Sequence, residues 1–162
     1  MERVNRIWQH PLYQSHYHNL QSAEADRIFC RHGLDHLLDV ARLMYIRKLE
    51  EGAELSKEII YAAALIHDIG RYLQISEGVP HHEAGVFLSV EILSDCGFSE
   101  DEADTIAEAV MEHRNGSESE LGRYLYDADK KSRCCFACPA AGECNWPEEK
   151  KNLEVKIGRA HV

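Results

Sequence analysis

Apolar residues recur at helical spacing along most of this chain, and no segment shows a sustained alternation of β-branched and polar residues. The pattern predicts one helix from about Gly33 to Leu49, with Gly52 suited to the position just past its end. It predicts another from about Ser56 to Ile69, and the run AAALI within it is too small and apolar for a surface. We therefore expect an all-α fold, a single helical bundle with this second helix at its centre.

Two further helix starts are marked by the S-x-x-E pattern, in which the serine and glutamate side chains cap backbone amides reciprocally. The pattern occurs at Ser99 with Glu102 and at Ser117 with Glu120. An amphipathic helix is expected after each serine, and His113 continues the apolar face of the first of these helices.

The chain length favours one domain. We divide it into a helical segment over residues 1–27 that packs on the domain, a core over 28–131, and a cysteine-rich end over 132–162. Within that end, a last charged helix is predicted from about Trp146 to Ile157. Gly158 to Val162 are expected to form a frayed tail.

Charge and hydropathy narrow the classes of function. Lys plus Arg number 18 against 28 Asp plus Glu, a formal charge of −10, which argues against a protein that coats a nucleic-acid polymer. A small phosphorylated substrate is still permitted if a metal and a few local cations overcome that field. No run approaches the ~18 apolar residues of a membrane span, and no secretory signal is recognisable. We expect a cytoplasmic protein with no membrane partner.

Candidate metal ligands lie at helix ends. His67 and Asp68 end the apolar run AAALIHD, and His36 begins the inward face of its helix. Asp129 follows Leu125 by four residues and shares its face, where a carboxylate is costly unless it is paired or bound to a metal. Imidazole nitrogens and carboxylate oxygens together suit a divalent transition metal. For an isolated His-Asp pair, a buried histidine bonded to its neighbour would be the simpler interpretation.

Two more histidine positions fall between Asp68 and Asp129, namely His81/His82 and His113. The order His, His-Asp, His, His, Asp resembles the HD superfamily of metal-dependent phosphohydrolases over roughly Ile28 to Lys131. The resemblance implies a helical bundle whose helix ends form the metal site, with these core ligands: His36, His67, Asp68 and Asp129. It also implies a second ion on His81 and His113, with Asp68 holding both ions and His82 as an alternate or supporting ligand. Either one or two ions of iron, manganese, nickel, cobalt or zinc would suit these donors.

Such an ion lowers the pKa of bound water towards ~7, so that the water can attack phosphorus at neutral pH. Besides Asp68, the resemblance gives Arg71 a catalytic role, because the family often has a basic residue facing phosphate there. Arg114 and Lys130 are further candidates for phosphate contact, and Arg27 is a weaker one. Each of these could equally be an ordinary surface cation.

The expected activity is hydrolysis of a phosphomonoester, phosphodiester or phosphoanhydride in a small nucleotide-like molecule. Three alternatives stay open: a di-iron oxygenase of the same family, a symmetrical dinucleoside polyphosphate hydrolase, and a non-catalytic domain that keeps a metal for stability. HD domains often pair through helices, so a homodimer is also possible.

The cysteine-rich end contains four thiols within a short stretch: Cys134, Cys135, Cys138 and Cys144. They could hold a structural zinc ion or an iron–sulfur cluster, or they could be reduced thiols. Because Cys134 and Cys135 are adjacent, they cannot easily bind one ion together, and a remote ligand such as Cys30 has no support in the sequence. Cys30 and Cys96 are expected to be small buried apolar residues.

Overall fold

A computed structural model describes residues 1–155, and within that range it contains eight α-helices, three short 3-10 turns and no strand. The predicted all-α class is therefore confirmed. The helices are α1 (Glu2–Gln9), α2 (Pro11–Ala23), α3 (Leu34–Glu51), α4 (Lys57–Ile66), α5 (Arg71–Glu77), α6 (His81–Asp95), α7 (Glu100–Glu112) and α8 (Glu120–Lys131). The 3-10 turns are Cys135–Ala137, Ala141–Glu143 and Glu148–Lys150. Within residues 1–155, each helix is too short or too polar to cross a bilayer.

Helix α4 lies at the centre of the bundle. Its last five residues, Ala62 to Ile66, are all buried, and three of them are alanines with no solvent exposure. The small side chains let α3, α7 and α1 approach closely, and α8 also contacts α4. Helix α4 is therefore fixed from several sides, and its carboxyl end can hold functional side chains rigidly.

The two N-terminal helices pack on this core. Tyr13 of α2 is fully buried and its hydroxyl donates to the backbone oxygen of Leu65 at 2.9 Å, which ties α2 to α4. Arg3 of α1 donates to Glu58 of α4 at 2.7 Å and also pairs with Glu102 of α7. Buried and polar contacts together join the start of the chain to the helices that form the core.

Helix ends agree with the sequence at some positions and differ at others. Gly52 ends α3 in the left-handed conformation (φ 67°), and Ser99 and Glu102 form the predicted capping box of α7. The capping box predicted at Ser117 is wrong, because Ser119 caps α8 by accepting from the amide of Gly122. The hydroxyl of Ser117 instead bonds the Glu112 carboxylate, so it belongs to the loop and not to the helix.

The helix predicted from Trp146 to Ile157 is also wrong over its described part. Only the 3-10 turn Glu148–Lys150 forms, directly after Pro147, and residues 151–155 are not helical. Asn152 explains the difference, since its side chain donates to the backbone oxygen of Lys131 and its own carbonyl accepts from the Phe136 amide. These tertiary bonds hold the chain extended. The tail predicted from Gly158 to Val162 lies outside the described residues.

Candidate metal centre

The turn after α4 begins the site. The helix ends at Ile66, three residues earlier than predicted, and His67 and Asp68 follow it directly. The amide of Arg71 donates to the Asp68 carbonyl at 3.0 Å, so the chain reverses tightly into α5. Both side chains are buried, with His67 0% and Asp68 2% exposed. A helix end at the centre of the bundle thus presents a histidine and an aspartate inward.

Four buried side chains from α3, α8 and the end of α4 meet in a first group: His36, His67, Asp68 and Asp129. Asp68 Oδ2 lies 3.0 Å from His67 Nε2 and 3.5 Å from His36 Nε2. Asp129 Oδ1 lies 3.4 Å from His36 Nε2 and 3.8 Å from His67 Nε2. Two nitrogens and two oxygens therefore surround one small volume.

A second group shares Asp68 and adds the histidines that begin α6 and follow α7. His81 Nε2 and His113 Nε2 are 3.1 Å apart, and they lie 3.8 and 4.0 Å from Asp68 Oδ1. The two oxygens of Asp68 therefore face different groups, Oδ2 the first and Oδ1 the second. Asp68 is therefore the residue that the two groups have in common.

The outer nitrogen of each ring is occupied by an acceptor. His67 Nδ1 donates to the Ala64 carbonyl at 2.8 Å, and His113 Nδ1 donates to the Val110 carbonyl at 2.6 Å. For the other two rings the contacts are side chains, with His36 Nδ1 3.0 Å from Ser132 Oγ and His81 Nδ1 2.9 Å from Gln74 Oε1. With Nδ1 directed to these partners, each ring turns its Nε2 towards the site, as metal-ligating histidines do.

Unpaired buried atoms show that these donors suit a cation. His67 Nε2 and Asp68 Oδ2 face each other, yet the direction between them is not that of a hydrogen bond and neither atom has a partner. The Nε2 atoms of His81 and His113 likewise face each other with their outer nitrogens already donating. Leaving buried polar atoms without a hydrogen-bond partner costs free energy, about 1–3 kcal/mol per unsatisfied group. A divalent ion between such atoms removes that cost, so the residues present fit a metal.

Electrostatics of the metal-free protein agree with this interpretation. Burial alone would raise the pKa of Asp68, but the Arg71 guanidinium and the His67 ring outweigh it and hold that pKa well below its usual range. The pKa of Asp129 is also held well below its usual range, because the neighbouring His36 and His67 rings outweigh the effect of burial. Burial lowers the pKa of His67, but Asp68 and Asp129 overcome that effect and raise it to about 9. His67 therefore takes up a proton when no metal neutralises the carboxylates.

In the second group the histidine pKa values are lowered, whereas that of His67 in the first group is raised. Burial and the nearby Arg71 cation lower the pKa of His81 to about 2. Burial and the charge on His67 lower the pKa of His113 to about 4. Both rings are therefore neutral at physiological pH, which is the protonation state that binds a metal.

Cations surround the two groups. Arg71 Nε donates to Asp68 Oδ1 at 2.8 Å, and Lys130 Nζ donates to Asp129 Oδ2 at 3.0 Å and to the His113 carbonyl at 2.9 Å. Arg114 lines the cavity above the site, as do Arg71 and Lys130. These three cations and the weaker candidate Arg27, all predicted to contact phosphate, border one space.

His82, predicted as an alternate or supporting ligand, lies outside both groups. It is half-buried, and its ring packs against that of His81 with centroids 5.7 Å apart. Because consecutive residues of a helix point in different directions, α6 can turn only one of the two histidines to Asp68, and that one is His81.

Three residues of the site were not assigned by sequence reasoning. Arg133 is buried, and its Nη2 lies 2.9 Å from His36 Nε2 and 3.6 Å from Asp129 Oδ1. Gln74 orients His81, as described above. His32, one turn before His36, has its Nε2 3.9 Å from Asp68 Oδ2. The only signal in the sequence was the four-residue spacing of His32 from His36.

Buried Glu24 holds His32 in place. Its two carboxylate oxygens contact the backbone amide and Nδ1 of His32 at 2.9 and 2.7 Å. Burial would raise the pKa of Glu24, but the bonds to His32 reverse this and lower it. The pair packs directly against the first group and helps to fix Asp68.

A cavity of about 510 Å³ opens above both groups. Its lining includes site residues, such as His113 and Asp129, and residues of the cysteine-rich end. The aromatic rings of Phe29 and Trp146 also line it. The space is of the size that holds small-molecule ligands.

Comparison with known proteins agrees with the geometry. The HD domain family model matches residues 33–134, and the chain belongs to that family, as the order of histidines and aspartates predicted. An uncharacterized protein of Clostridium beijerinckii is 39% identical over 155 residues, which is 96% of this chain and 99% of that protein. The fold is similar to the crystal structure of a predicted HD superfamily hydrolase from an uncultured Thermotogales bacterium. That match has a TM-score of 0.65 and 22% identity, and covers 88% of this chain and 80% of the other.

Proposed function

We propose that this protein is a metal-dependent phosphohydrolase that acts on a small phosphorylated, nucleotide-like molecule. The observation that supports this most directly is the pair of buried donor groups that share Asp68 and contain opposed atoms without partners. Membership of the HD domain family supports the same proposal. The Thermotogales neighbour, described as a predicted hydrolase, adds support for the reaction class.

Two ions are proposed. The first would be held by His36, His67, Asp68 and Asp129, and the second by Asp68 with His81 and His113. When bound, divalent ions acidify water to supply a nucleophile at neutral pH and act as Lewis acids towards phosphoryl oxygens. Iron, manganese, nickel, cobalt and zinc all accept such donors.

Arg71 is the best placed residue to orient the phosphate. Its Nε is fixed by Asp68, and its side chain, which is 27% exposed, borders the cavity. A guanidinium held in this way can present its remaining N–H groups to phosphate oxygens. Lys130 is already bonded to Asp129 and to the His113 carbonyl, so its contribution is to balance charge at the ligands. Arg114 offers a second phosphate contact from the cavity wall.

The shape of the cavity supports a small substrate. Its volume suits a nucleotide better than a polymer. Phe29 and Trp146 provide aromatic surfaces on which a nucleobase could stack, while the phosphates would face Arg71 and the ligand groups. The net charge of −10 makes these local cations necessary for any anionic ligand.

The test compares two aspartates that lie two positions apart on α8. Asp129 is buried in the first group, whereas Asp127 is 40% exposed and paired with Arg47 at 2.7 Å. Purified wild type and both Asp→Asn variants would be loaded with each candidate metal and assayed against a panel of phosphorylated metabolites. We expect Asp129→Asn to lose bound metal and at least about 100-fold in turnover, and Asp127→Asn to stay within about twofold of wild type.

Other outcomes separate the alternatives. Product that forms only when oxygen is added to anaerobic protein would indicate a di-iron oxygenase instead. Cleavage of a dinucleoside tetraphosphate into two nucleoside diphosphates would narrow the proposal to that substrate class. A large rise of Tm with metal, but no turnover on any compound, would refute the proposal in favour of a binding domain.

A further inference from the structure

The cysteine-rich end has no hydrophobic core of its own. From Cys134 to Lys151 the only buried residue is Ala140, and the three 3-10 turns contain none. Ordering each residue costs about 1–2 kcal/mol of backbone entropy, which this segment cannot recover by burying apolar surface. Short segments of this kind are usually stabilised by disulfides or by a metal. All six cysteines are free thiols, so a disulfide does not supply the stabilisation.

Four thiols converge on the cavity wall. Cys30, from the loop before α3, lines the same cavity as Cys135, Cys138 and Cys144, and all four are half-buried. Cys134, although adjacent to Cys135, is exposed and is not part of this wall. The structure therefore selects four of the five nearby cysteines and includes the remote one that the sequence left without support.

The backbone repeats one geometry at two of these positions. Cys138 and Cys144 each follow a 3-10 turn, and each has φ −76° and ψ 122°. The amide of Cys138 donates to the carbonyl of Cys135 at 3.3 Å, and that of Cys144 donates to the carbonyl of Ala141 at 3.4 Å. Two successive tight turns, each followed by a cysteine, resemble the knuckles that deliver thiolates to metals.

Cations surround these thiols as well. Arg27 Nε donates to the backbone oxygen of Cys30 at 2.9 Å, and the charge of Arg133 acts to lower the pKa of the Cys30 thiol against the effect of burial. Lys150 and Lys151 also border the cavity. Thiolate ligands are stabilised by nearby positive charge, so this environment suits a site with several of them.

The spacing of the thiols favours a cluster over a single ion. Four thiolates around a single zinc ion lie about 3.8 Å apart, since Zn–S is about 2.3 Å in a tetrahedron. Among residues 1–155, no three cysteine sulfurs lie within 4.8 Å of one another. Sulfurs distributed around a cavity instead suit a cluster in which each thiolate binds a different iron. Three cysteines in one short stretch and one far away in the chain is also a known pattern of iron–sulfur ligation.

We propose that Cys30, Cys135, Cys138 and Cys144 bind a [4Fe–4S] cluster, at a site separate from the histidine and aspartate groups. The cluster would join the loop before α3 to the C-terminal segment. It would thereby hold that segment in place as the outer wall of the cavity.

The test measures acid-labile sulfide, which metal ions held by the histidine and aspartate groups cannot contribute. Protein purified without oxygen, and the same protein reconstituted with iron and sulfide, should contain about four sulfides per chain and show broad visible absorption. Cys138→Ser and Cys30→Ser should each lose most of the sulfide. The matched control Cys134→Ser, next to the ligand Cys135, should retain it, as should Asp68→Asn.

Several results would overturn the proposal. One is about one zinc ion per chain, without sulfide, that disappears in Cys138→Ser, because this would mean a mononuclear site. Equal loss of sulfide in Cys134→Ser and Cys138→Ser would contradict the selection of ligands. Absence of sulfide from both wild-type preparations would refute the cluster itself. That result does not depend on whether any variant folds.

Discussion

Gly70 offers a sharp test of how the two donor groups are brought together. It lies in the turn after Asp68, where this turn touches the start of α6. A Cβ on Gly70 would lie 2.1 Å from the backbone oxygen of His81, 2.5 Å from the amide nitrogen of Gly85 and 2.9 Å from Cβ of Ala84. Its φ of −75° and ψ of −6° suit alanine equally well, so Gly70→Ala introduces a steric clash without backbone strain.

The size of the effect follows from these contacts. Two of the three atoms belong to the backbone of α6 and cannot rotate away, so the helix itself must retreat by about 1–1.5 Å to restore contact distances near 3.5 Å. Overpacking of this kind costs about 1–3 kcal/mol, and a backbone clash belongs at the upper end. For a chain of this length, about 3 kcal/mol lowers Tm by about 6–12 °C. The same movement would carry His81 Nε2 away from Asp68 Oδ1, now 3.8 Å distant, and disable the second group.

Thermal unfolding and metal content measure both consequences. Gly70→Ala should melt at least about 6 °C lower than wild type and lose one of two bound ions. Gly85→Ala is the matched control, because the nearest atom to its Cβ would be Val110 Cγ1 at 3.2 Å, followed by two carbonyl oxygens at 3.8 and 3.9 Å. It should stay within about 1 kcal/mol of wild type and keep its metal. A Gly70→Ala protein with wild-type Tm and metal content would refute the argument.

Three further predictions concern the ligands. Gln74→Ala should weaken binding of the second ion by about 10–100-fold, because it removes the acceptor that orients His81. A calorimetric metal titration in which both ions bind as in wild type would contradict this. In chelator, the free energy of unfolding should rise with pH from about 4 to 6.5. In this range His113 is neutral in the folded protein but protonated in the unfolded chain. The free energy of unfolding should then fall from pH 6.5 to about 9 as His67 loses its proton, a decline that added metal should suppress; melting curves across pH that stay flat in chelator would count against these shifts. Arg133→Met should tighten metal binding by about tenfold, because the guanidinium bonds the ligand nitrogen that the ion needs; weaker binding would show that Arg133 supports the ligands instead.

Much of the metal centre could be predicted because its residues follow helical periodicity. His36 and Asp129 lie on inward faces at helix ends, and an inward polar residue is a strong signal in a single sequence. The choice of His81 over His82 came from the family resemblance, and the structure buries both His81 and Gly85, four residues apart on α6. Periodicity within one helix therefore indicated which side chains face inward.

Contacts between distant segments could not be predicted in this way. Glu24 reaches His32 across a loop with no periodicity, and Arg133 reaches His36 from just beyond α8. Cys30 lies far from the thiol-rich segment in the chain, yet both line one cavity in the folded protein. The helix expected from Trp146 was overruled by the tertiary bonds of Asn152, and such bonds leave no trace in local propensity.

The way the rings are oriented limits how this site can change in evolution. In each donor group one imidazole is oriented by a main-chain carbonyl of its own helix, as His67 is by Ala64 and His113 by Val110. No substitution can remove those acceptors. The other imidazole of each group depends on a replaceable side chain, Ser132 in the first group and Gln74 in the second. Adaptation to a different metal would therefore arise at these two positions, while the remaining pair of ligands stays constant.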